Sequence, residues 1–597
     1  MAIQSNFPTT KPSLLLDFAD IKQLDPRITF TRTSTATYYD GVTAAKAEEN
    51  LVTYSDQFDN AAWNKSSVTI TANSTTAPDG TTTADTVTPT AGTNSFSIFQ
   101  VVTNPVATQT QSFYVKANGY SKVMLRESNA GGNYVAFDIS LGTILFDGSG
   151  GTASITSVGN SWYRISMSIS YTAGATRPSV YILSPSYTTG AMGAFTADGT
   201  SGIFIWGAQF ESRLTLTAYT PTTTQAITNY IPVLQTAASG IPRFDHNPTT
   251  GESLGLLIED SKTNLLSYSS QFDTNPWAIN STTVTITPNA VIAPDGTLTG
   301  DLLKSNTLTN DFIYQTPTVA TSTIVTFSFY IKNIDAASSR TMGRSANTGM
   351  ELSIVWSGAT LVSLTLVTGT SASFTAVGNG WYRVQATYTT NEINQNVRIY
   401  PDNTNTGKSA FVWGAQLEAG AFATSYIPTV ASQVTRSADT ATMTGANFSS
   451  WFNQGEGSIY AEASTFMPIS GNTNRNDTFS VSDGTGNNAI FMGVNSVGNA
   501  TSINLYVITS GVAQVNISRT LASSAYKTAY GYKFNDVALI LDNGTTVTDT
   551  SVTLPNLTQL AIGTRSGSSA NYQNGTIKKI AYYPIRLTNA QLQSLTS

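Results

Sequence analysis

Apolar and polar residues alternate with a period of two along much of the chain. In "WYRISMSIS" (162–170), Tyr163, Ile165, Met167 and Ile169 share one face, and Arg164, Ser166, Ser168 and Ser170 share the other. "WYRVQATYT" (381–389) likewise sets Tyr382, Val384, Ala386 and Tyr388 against Arg383, Gln385 and Thr387. This is the period of a half-buried antiparallel strand. Between such runs lie turns with a clear mechanism. "APDG", at 77–80 and again at 293–296, joins a proline that presets φ to a glycine that tolerates positive φ. Many short strands separated by such turns predict an all-β chain of antiparallel sandwiches or jelly rolls. One helix is expected, near the end, where Thr588-x-x-Gln591 forms a capping box and Leu592 and Leu595 are placed to dock. Asn543-Gly544 fits a type I′ hairpin turn.

The pattern occurs twice. "NLVTYSDQFDNAAW" (50–63) matches "NLLSYSSQFDTNPW" (264–277), "FYVK" (113–116) matches "FYIK" (329–332), and "VGNSWYR" (158–164) matches "VGNGWYR" (377–383). "FIWGAQFE" (204–211) and "FVWGAQLE" (411–418) follow, each trailed by a "TxYxPT" tail at 217–222 and 424–429. The order is constant while the offset drifts from 214 to 219 and back to 207, as loops vary and strands do not. Each copy is long enough for its own core, which makes this a duplicated domain rather than a solenoid. The predicted organisation is an N-terminal segment (1–49), a first jelly roll (50–222), a connector (223–263), a second jelly roll (264–430) and a third sandwich (431–597). Segments 1–49 and 223–263 both precede an "NL" that opens a repeat. They are expected to pack together, with the first repeat inserted between them.

Composition narrows the chemistry. Only 11 % of the 597 residues are charged, against a usual ~25 %. The net charge is −6 and no basic stripe is present, which disfavours nucleic acid as a partner. The absence of cysteine removes disulfides, thiolate metal sites and cysteine nucleophiles. No apolar run is long enough to span a membrane, and "MAIQSNFPTTKPS" does not read as a secretory signal, so a soluble chain made in a cytoplasm is expected.

"LLLDFADIKQLDPRITFTRTSTATYYDG", "IPRFDHNPTTGESLGLLIEDSKTNLL", and the paired "GxWYR … WGAQxE" resemble tailed-bacteriophage virion proteins, a group of head spikes and tail fibres. "VTRSADTATMTG" (434–445) and "YYPIRLTNAQLQSLT" (582–596) carry the same resemblance into the last domain. It implies jelly rolls similar to carbohydrate-binding modules and a C-terminal concanavalin A-like (laminin-G-like) sandwich. It also implies a non-enzymatic structural protein on the surface of a virion assembled in the host cytoplasm. Expected partners are capsid or tail proteins, further copies of the chain (a trimer by fibre analogy) and host surface polysaccharide. A decoration protein without a ligand and a capsule depolymerase are the alternatives.

The sequence offers few chemical constellations. "GESLG" (251–255) matches G-x-S-x-G, but a nucleophile elbow needs a helix after the serine and a histidine later in the chain. Here His246, the sole histidine, precedes Ser253, and a strand-like run follows. Asp245, Asn247 and Glu252 are the only oxygen cluster suggestive of calcium, without diagnostic spacing, and no metal or cofactor is expected. Sugar binding is the serious hypothesis, because rings stack on sugar faces and a few polar groups fix the hydroxyls. Strict alternation puts Phe204, Trp206, Ala208 and Phe210 in the core, with Phe411, Trp413, Ala415 and Leu417 as their counterparts. The candidate ligand face is then Tyr114, Lys116, Trp162, Arg164, Gln209 and Glu211 in the first repeat. In the second it is Tyr330, Lys332, Trp381, Arg383, Gln416 and Glu418. Packing against a subunit or a covering loop is the competing use of that face. Trp63 and Trp277 are expected to anchor the chain to the sandwich.

Overall fold

The computed structural model of the chain describes residues 8, 10–104, 106–127, 133–170, 173–280, 284–306, 311–345, 348–403, 407–468, 475–497, 500–565 and 571–597. They divide into two compact units, residues 46–230 and residues 1–45 with 231–597. Apart from three short helices, the regular structure is antiparallel strand.

The 46–230 unit is a two-sheet jelly roll. One six-stranded sheet runs Thr152–Gly159, Trp162–Ser170, Thr108–Asn118, Gly202–Glu211, Ala84–Pro89, Val68–Thr75. The other runs Thr143–Asp147, Tyr134–Asp138, Lys122–Arg126, Ser179–Ile182, Phe96–Phe99, Asn64–Ser66. Phe113, Val115, Ile165, Met167, Ile205 and Phe210 from the first sheet meet Ile98, Val123, Leu125, Phe137 and Val180 from the second. Both faces of this core follow the period-two pattern, and each large apolar side chain buried there contributes roughly 1.5–3 kcal/mol.

The second repeat has the same order, strand for strand. Its sheets run Ser371–Ala376, Trp381–Thr389, Ile324–Asn333, Ser409–Ala419, Leu298–Ser305, Val284–Ile292, and Thr360–Thr368, Thr348–Ser357, Ser338–Ser345, Asn396–Tyr400, Ile313–Gln315, Ala278–Ile279. Trp63 and Trp277 sit alike as well: the indole Nε1 donates to Tyr54 O at 2.9 Å and to Tyr268 O at 3.0 Å.

The third sandwich is assembled from distant parts of the chain. Gly575–Tyr583 pairs on one side with Glu456–Thr465 and on the other with Ser253–Ile258 of the connector, while Leu14–Asp17 also pairs with it. Thr29–Thr31 extends the facing sheet by pairing with Thr440–Thr444. Strands of the N-terminal segment and of the connector are thus part of this sandwich. Leu14, Leu16, Leu256 and Ile258 enter the same core as Ile459, Phe479, Tyr530 and Ile577.

A buried charge cluster ties these pieces together. Arg243 of the connector bonds Glu259 at 2.8 Å and Asp439 at 2.6 Å; Arg32 bonds Asp439 at 3.0 Å, and Arg436 lies 3.5 Å from Glu259. Arg32, Arg243, Glu259 and Asp439 have fully buried side chains.

The terminal helix, Asn589–Leu595, forms as the capping box predicts, with Thr588 Oγ1 accepting from Gln591 N and Leu592 buried. Thr588→Ala should cost about 1 kcal/mol, measured as a lower denaturant midpoint. The hairpin after Leu541 differs from expectation by one residue. Asp542 and Asn543, not Asn543 and Gly544, carry the two positive φ angles, and Gly544 N closes the turn on Leu541 O.

A larger correction concerns the doubled octet. Trp206 and Trp413 do not lie in the inter-sheet cores. Gly207 and Gly414 adopt φ of +60° and +63°, and the pairing register slips opposite each, between Ser112/Tyr114 and between Ser328/Tyr330. This bulge inverts the parity of the strand. Before it, Ile203 and Ile205 face the core; after it, Ala208 and Phe210 do, and Trp206 is thrown to the opposite face. A Cβ at Gly414 would meet Tyr330 Cδ2 at 2.8 Å, so Gly414→Ala should cost about 1–3 kcal/mol. The check is a shifted denaturant midpoint at unchanged slope.

Candidate functional site

Bulge parity gathers the predicted face into one cluster. In the first repeat, Trp206 packs edge-on against Tyr114 at 5.2 Å, and Trp162 lies with them under the "APDG" turn. The indole Nε1 atoms donate to Thr83 Oγ1 and Thr76 O, both at 3.1 Å. In the second repeat Trp413 meets Tyr330 at 5.2 Å, and Trp413 and Trp381 donate to Thr299 Oγ1 and Ile292 O, again at 3.1 Å.

The "TxYxPT" tail then folds over the cluster. Tyr219 packs on Trp206 and Tyr426 on Trp413, each at 4.7 Å, and their hydroxyls bond Ser55 and Ser269 at 2.6 Å. Glu211 accepts from Thr217 Oγ1 at 2.6 Å and Glu418 from Thr424 Oγ1 at 2.5 Å. Gln209 accepts from Thr220 N and Gln416 from Ile427 N. Asn50 and Asn264, the "N" of each opening "NL", donate to both the octet strand and the tail: to Ala208 O and Thr220 O, and to Ala415 O and Ile427 O.

The face read as open to a ligand is therefore covered by its own chain. Trp162, Gln209, Glu211, Tyr330, Lys332, Trp381, Gln416 and Glu418 are buried, and Tyr114, Lys116, Arg164 and Arg383 are half-buried. Burial holds the Glu211 and Glu418 carboxyls above the usual range. Alternation alone cannot show that polar side chains will be consumed by a following loop. The signal was present in the tail, whose Thr and Tyr recur at the same distance behind Gln and Glu in both copies.

Sequence reasoning also missed a buried aspartate in each repeat. Asp85 accepts from Phe58 N and Asn73 N, and Asp301 from Phe272 N and Asn289 N, at 2.8–2.9 Å. Burial raises both carboxyls, Asp301 to about 6.

The two repeats differ at one arginine. Arg164 Nη1 donates to the tail carbonyl Thr217 O at 2.8 Å, and Nη2 to Ser112 Oγ at 3.1 Å. Arg383 keeps the second bond, to Ser328 Oγ at 3.1 Å, but makes no bond to its tail. The tails also differ one residue further on. Ser425, where the first repeat has Ala218, is pulled toward the buried charge cluster and bonds Glu259 by its N and Oγ, both at 2.7 Å.

Arg383 and Tyr330 instead border a cavity of about 250 Å³ in the unit formed by residues 1–45 and 231–597. Tyr38, Tyr39, Asp245, His246 and Phe466 complete its character. An adjoining cavity of about 390 Å³ shares Gln385 and Phe466 with it and adds Ser373, Phe422 and Met467. Asp245 accepts from Tyr39 N at 2.8 Å and is pushed up to about 6 by burial. His246 Nδ1 lies 3.1 Å from Tyr39 O and 3.0 Å from Phe244 O, both acceptors, so it carries the proton in the neutral ring, and the buried Nε2 has no partner.

Neither sequence-level constellation around this hairpin forms a site. Ser253 opposes His246 across a strand pair, but no hydrogen bond joins them, and Ser253 opens a strand rather than an elbow. Asn247 caps its own turn through Thr249 N and Thr250 N, and Glu252 bonds Lys578 at 2.6 Å, so neither converges with Asp245.

Stability in this unit should depend on pH in two directions. Glu259 is held down to about 2, first against burial and then by Arg436 and Arg243, so its contribution is full above about pH 4.5 and lost as pH falls toward 2. Asp245 and Asp301 are raised, so they favour the fold below the unfolded carboxylate range and cease to as pH climbs through about 6. Thermal midpoints should therefore rise from about pH 8 to about pH 5 and fall below about pH 4.

No family model and no curated protein matches this chain. Among solved structures it is similar to the N-terminal CBM22-1–CBM22-2 tandem domain of Paenibacillus barcinonensis Xyn10C, with 14% identity and a TM-score of 0.18, covering 63% of this chain and 99% of that one. It is also similar to domains LG4-5 of the mouse laminin alpha1 chain, at 10% identity and a TM-score of 0.17, covering 44% and 83%. The LG1-3 region of the laminin alpha2 chain gives 9% identity and a TM-score of 0.16, covering 84% and 97%. The all-β, multi-sandwich class stands on the sheets themselves.

Proposed function

We propose that this chain is a structural protein of a tailed-bacteriophage particle, a head or tail fibre or spike that projects from the surface and contacts host glycans without cleaving them. The virion assignment is supported by the sequence resemblance of the segments around 14–41, 241–266 and 434–445. The observation that carries the adhesive role is the cavity where the half-buried Tyr38 ring and Asp245 stand beside Arg383, whose Nη1 makes no bond to the tail. Elsewhere on the repeats the equivalent groups are consumed internally. Several copies per particle, as a trimer by fibre analogy, raise weak single-site binding through effective concentration.

Labelled antibody against the chain, imaged on intact virions, should decorate projections of the head or tail. Label confined to a flat capsid lattice would favour the decoration protein. Incubation with host polysaccharide should yield no new reducing ends, and their release would identify a depolymerase instead.

A further inference from the structure

We infer that the cavity bounded by Tyr38, Asp245, Tyr330 and Arg383 is a binding site for a neutral saccharide, taking about one or two sugar rings, with the adjoining cavity receiving the next rings of the chain. The assignment rests on the adhesive role proposed above and specifies its location and ligand class.

The first argument is internal comparison. The first repeat carries the same arginine on the same sheet position, and there it is closed by Thr217 O. In the second repeat that bond is missing, and the tail is held instead by Ser425 on Glu259. Arg383, half-buried, therefore borders the cavity with Nη1 free of the tail, while Nη2 stays on Ser328 Oγ.

The second argument is charge. Asp245 and Arg383 line the same cavity, yet no ion pair joins them among the described residues. Asp245 is half-buried at the cavity wall and accepts from Tyr39 N. A half-buried carboxyl and a guanidinium Nη1, neither of them in an ion pair, suit a ligand that offers hydroxyls to both. An anionic sugar would be repelled by Asp245, and a cationic one by Arg383.

The third argument is shape. Cavities for drug-sized ligands run roughly 300–1,000 Å³. The 250 Å³ here fits a smaller guest, and the adjoining 390 Å³ lined by Ser373, Gln385 and Phe422 fits an extension of it. Tyr38, half-buried at the cavity wall, supplies ring surface beside these polar groups, the pairing that sugar faces need.

The test uses the full chain. Saturation-transfer NMR would be run with glucose, galactose, mannose, rhamnose, N-acetylglucosamine and their β-linked disaccharides, with glucuronate and galacturonate as the acidic counterparts. In parallel, binding to polysaccharide extracted from host cells would be followed. At least one neutral sugar should give transfer, and Arg383→Gln should weaken it at least tenfold. Thr375→Trp fills the cavity from an exposed position, so it tests occupancy without disturbing the core, and it should abolish the signal while the thermal midpoint stays put. Host polysaccharide that binds both variants as well as the parent would overturn the cavity assignment and leave the adhesive role standing. A parent chain that binds no host polysaccharide at all would remove the adhesive role itself. Transfer from the uronates alone would overturn the ligand class.

Discussion

Arg243→Ala is expected to destabilise the unit of residues 1–45 and 231–597 by about 3–5 kcal/mol, the range for removing one partner of a buried charge network. Among the described residues Arg243 is the one cation that contacts both carboxylates, Glu259 at 2.8 Å and Asp439 at 2.6 Å, and it also donates to Thr37 O and Ser425 Oγ. Its loss leaves two carboxylates with side chains at 0 % exposure sharing only Arg32 and Arg436. It also frees the N-terminal segment, the connector and the second tail from their common partner. Lys408→Ala provides the contrast: its pair with Asp335 is 40 % exposed on each side, so screening reduces the effect to about 0–1 kcal/mol. Calorimetry should show the transition of this unit moving down with Arg243→Ala and that of residues 46–230 unmoved. Equal effects from the two substitutions would show that the cluster does not hold the unit together.

Trp413→Ala should cost about 3–5 kcal/mol, the range for deleting a large buried side chain. Trp413 is 2% exposed and is gripped by Tyr330 at 5.2 Å, Tyr426 at 4.7 Å and Thr299 Oγ1. It is the surface onto which the tail closes, so the loss should appear in two ways. The unfolding free energy should fall, and limited proteolysis should begin to cut within 420–430 in the folded protein. A loss below about 1 kcal/mol, with the tail still protected, would mean that the tail closes without the indole. Had Trp413 stood in the inter-sheet core, as strict alternation suggests, the same substitution would leave the tail intact.

That contrast shows where the sequence is transparent. The jelly rolls, their duplication and the alternating cores of "WYRISMSIS" and "WYRVQATYT" are carried by period-two patterning and repeat order, which depend on local spacing alone. The position of Trp206 and Trp413 depends on one backbone angle at the following glycine, and alternation has no term for it. The sealing of Gln209, Glu211, Gln416 and Glu418 depends on a tail that returns over them. The cavity depends on Tyr38, Asp245, Arg383 and Phe466 meeting from four separated segments, and on Ser425 replacing the alanine of the first copy. The raw signal for these was an asymmetry between otherwise matching repeats, visible only once the partner of Ser425 is known.

The pairing of Leu14–Asp17 with Gly575–Tyr583 also sets a timetable. A ribosome adding roughly 5–20 residues per second delivers the second strand on the order of a minute after the first. The 46–230 unit has its own core and can close during that interval. The earlier strand, with Leu14 and Leu16 destined for the interior, must wait unpaired until Gly575–Tyr583 has been made. A ribosome that stalls before Gly575 then leaves a chain whose two jelly rolls have been made while the apolar strand Leu14–Asp17 is still bare.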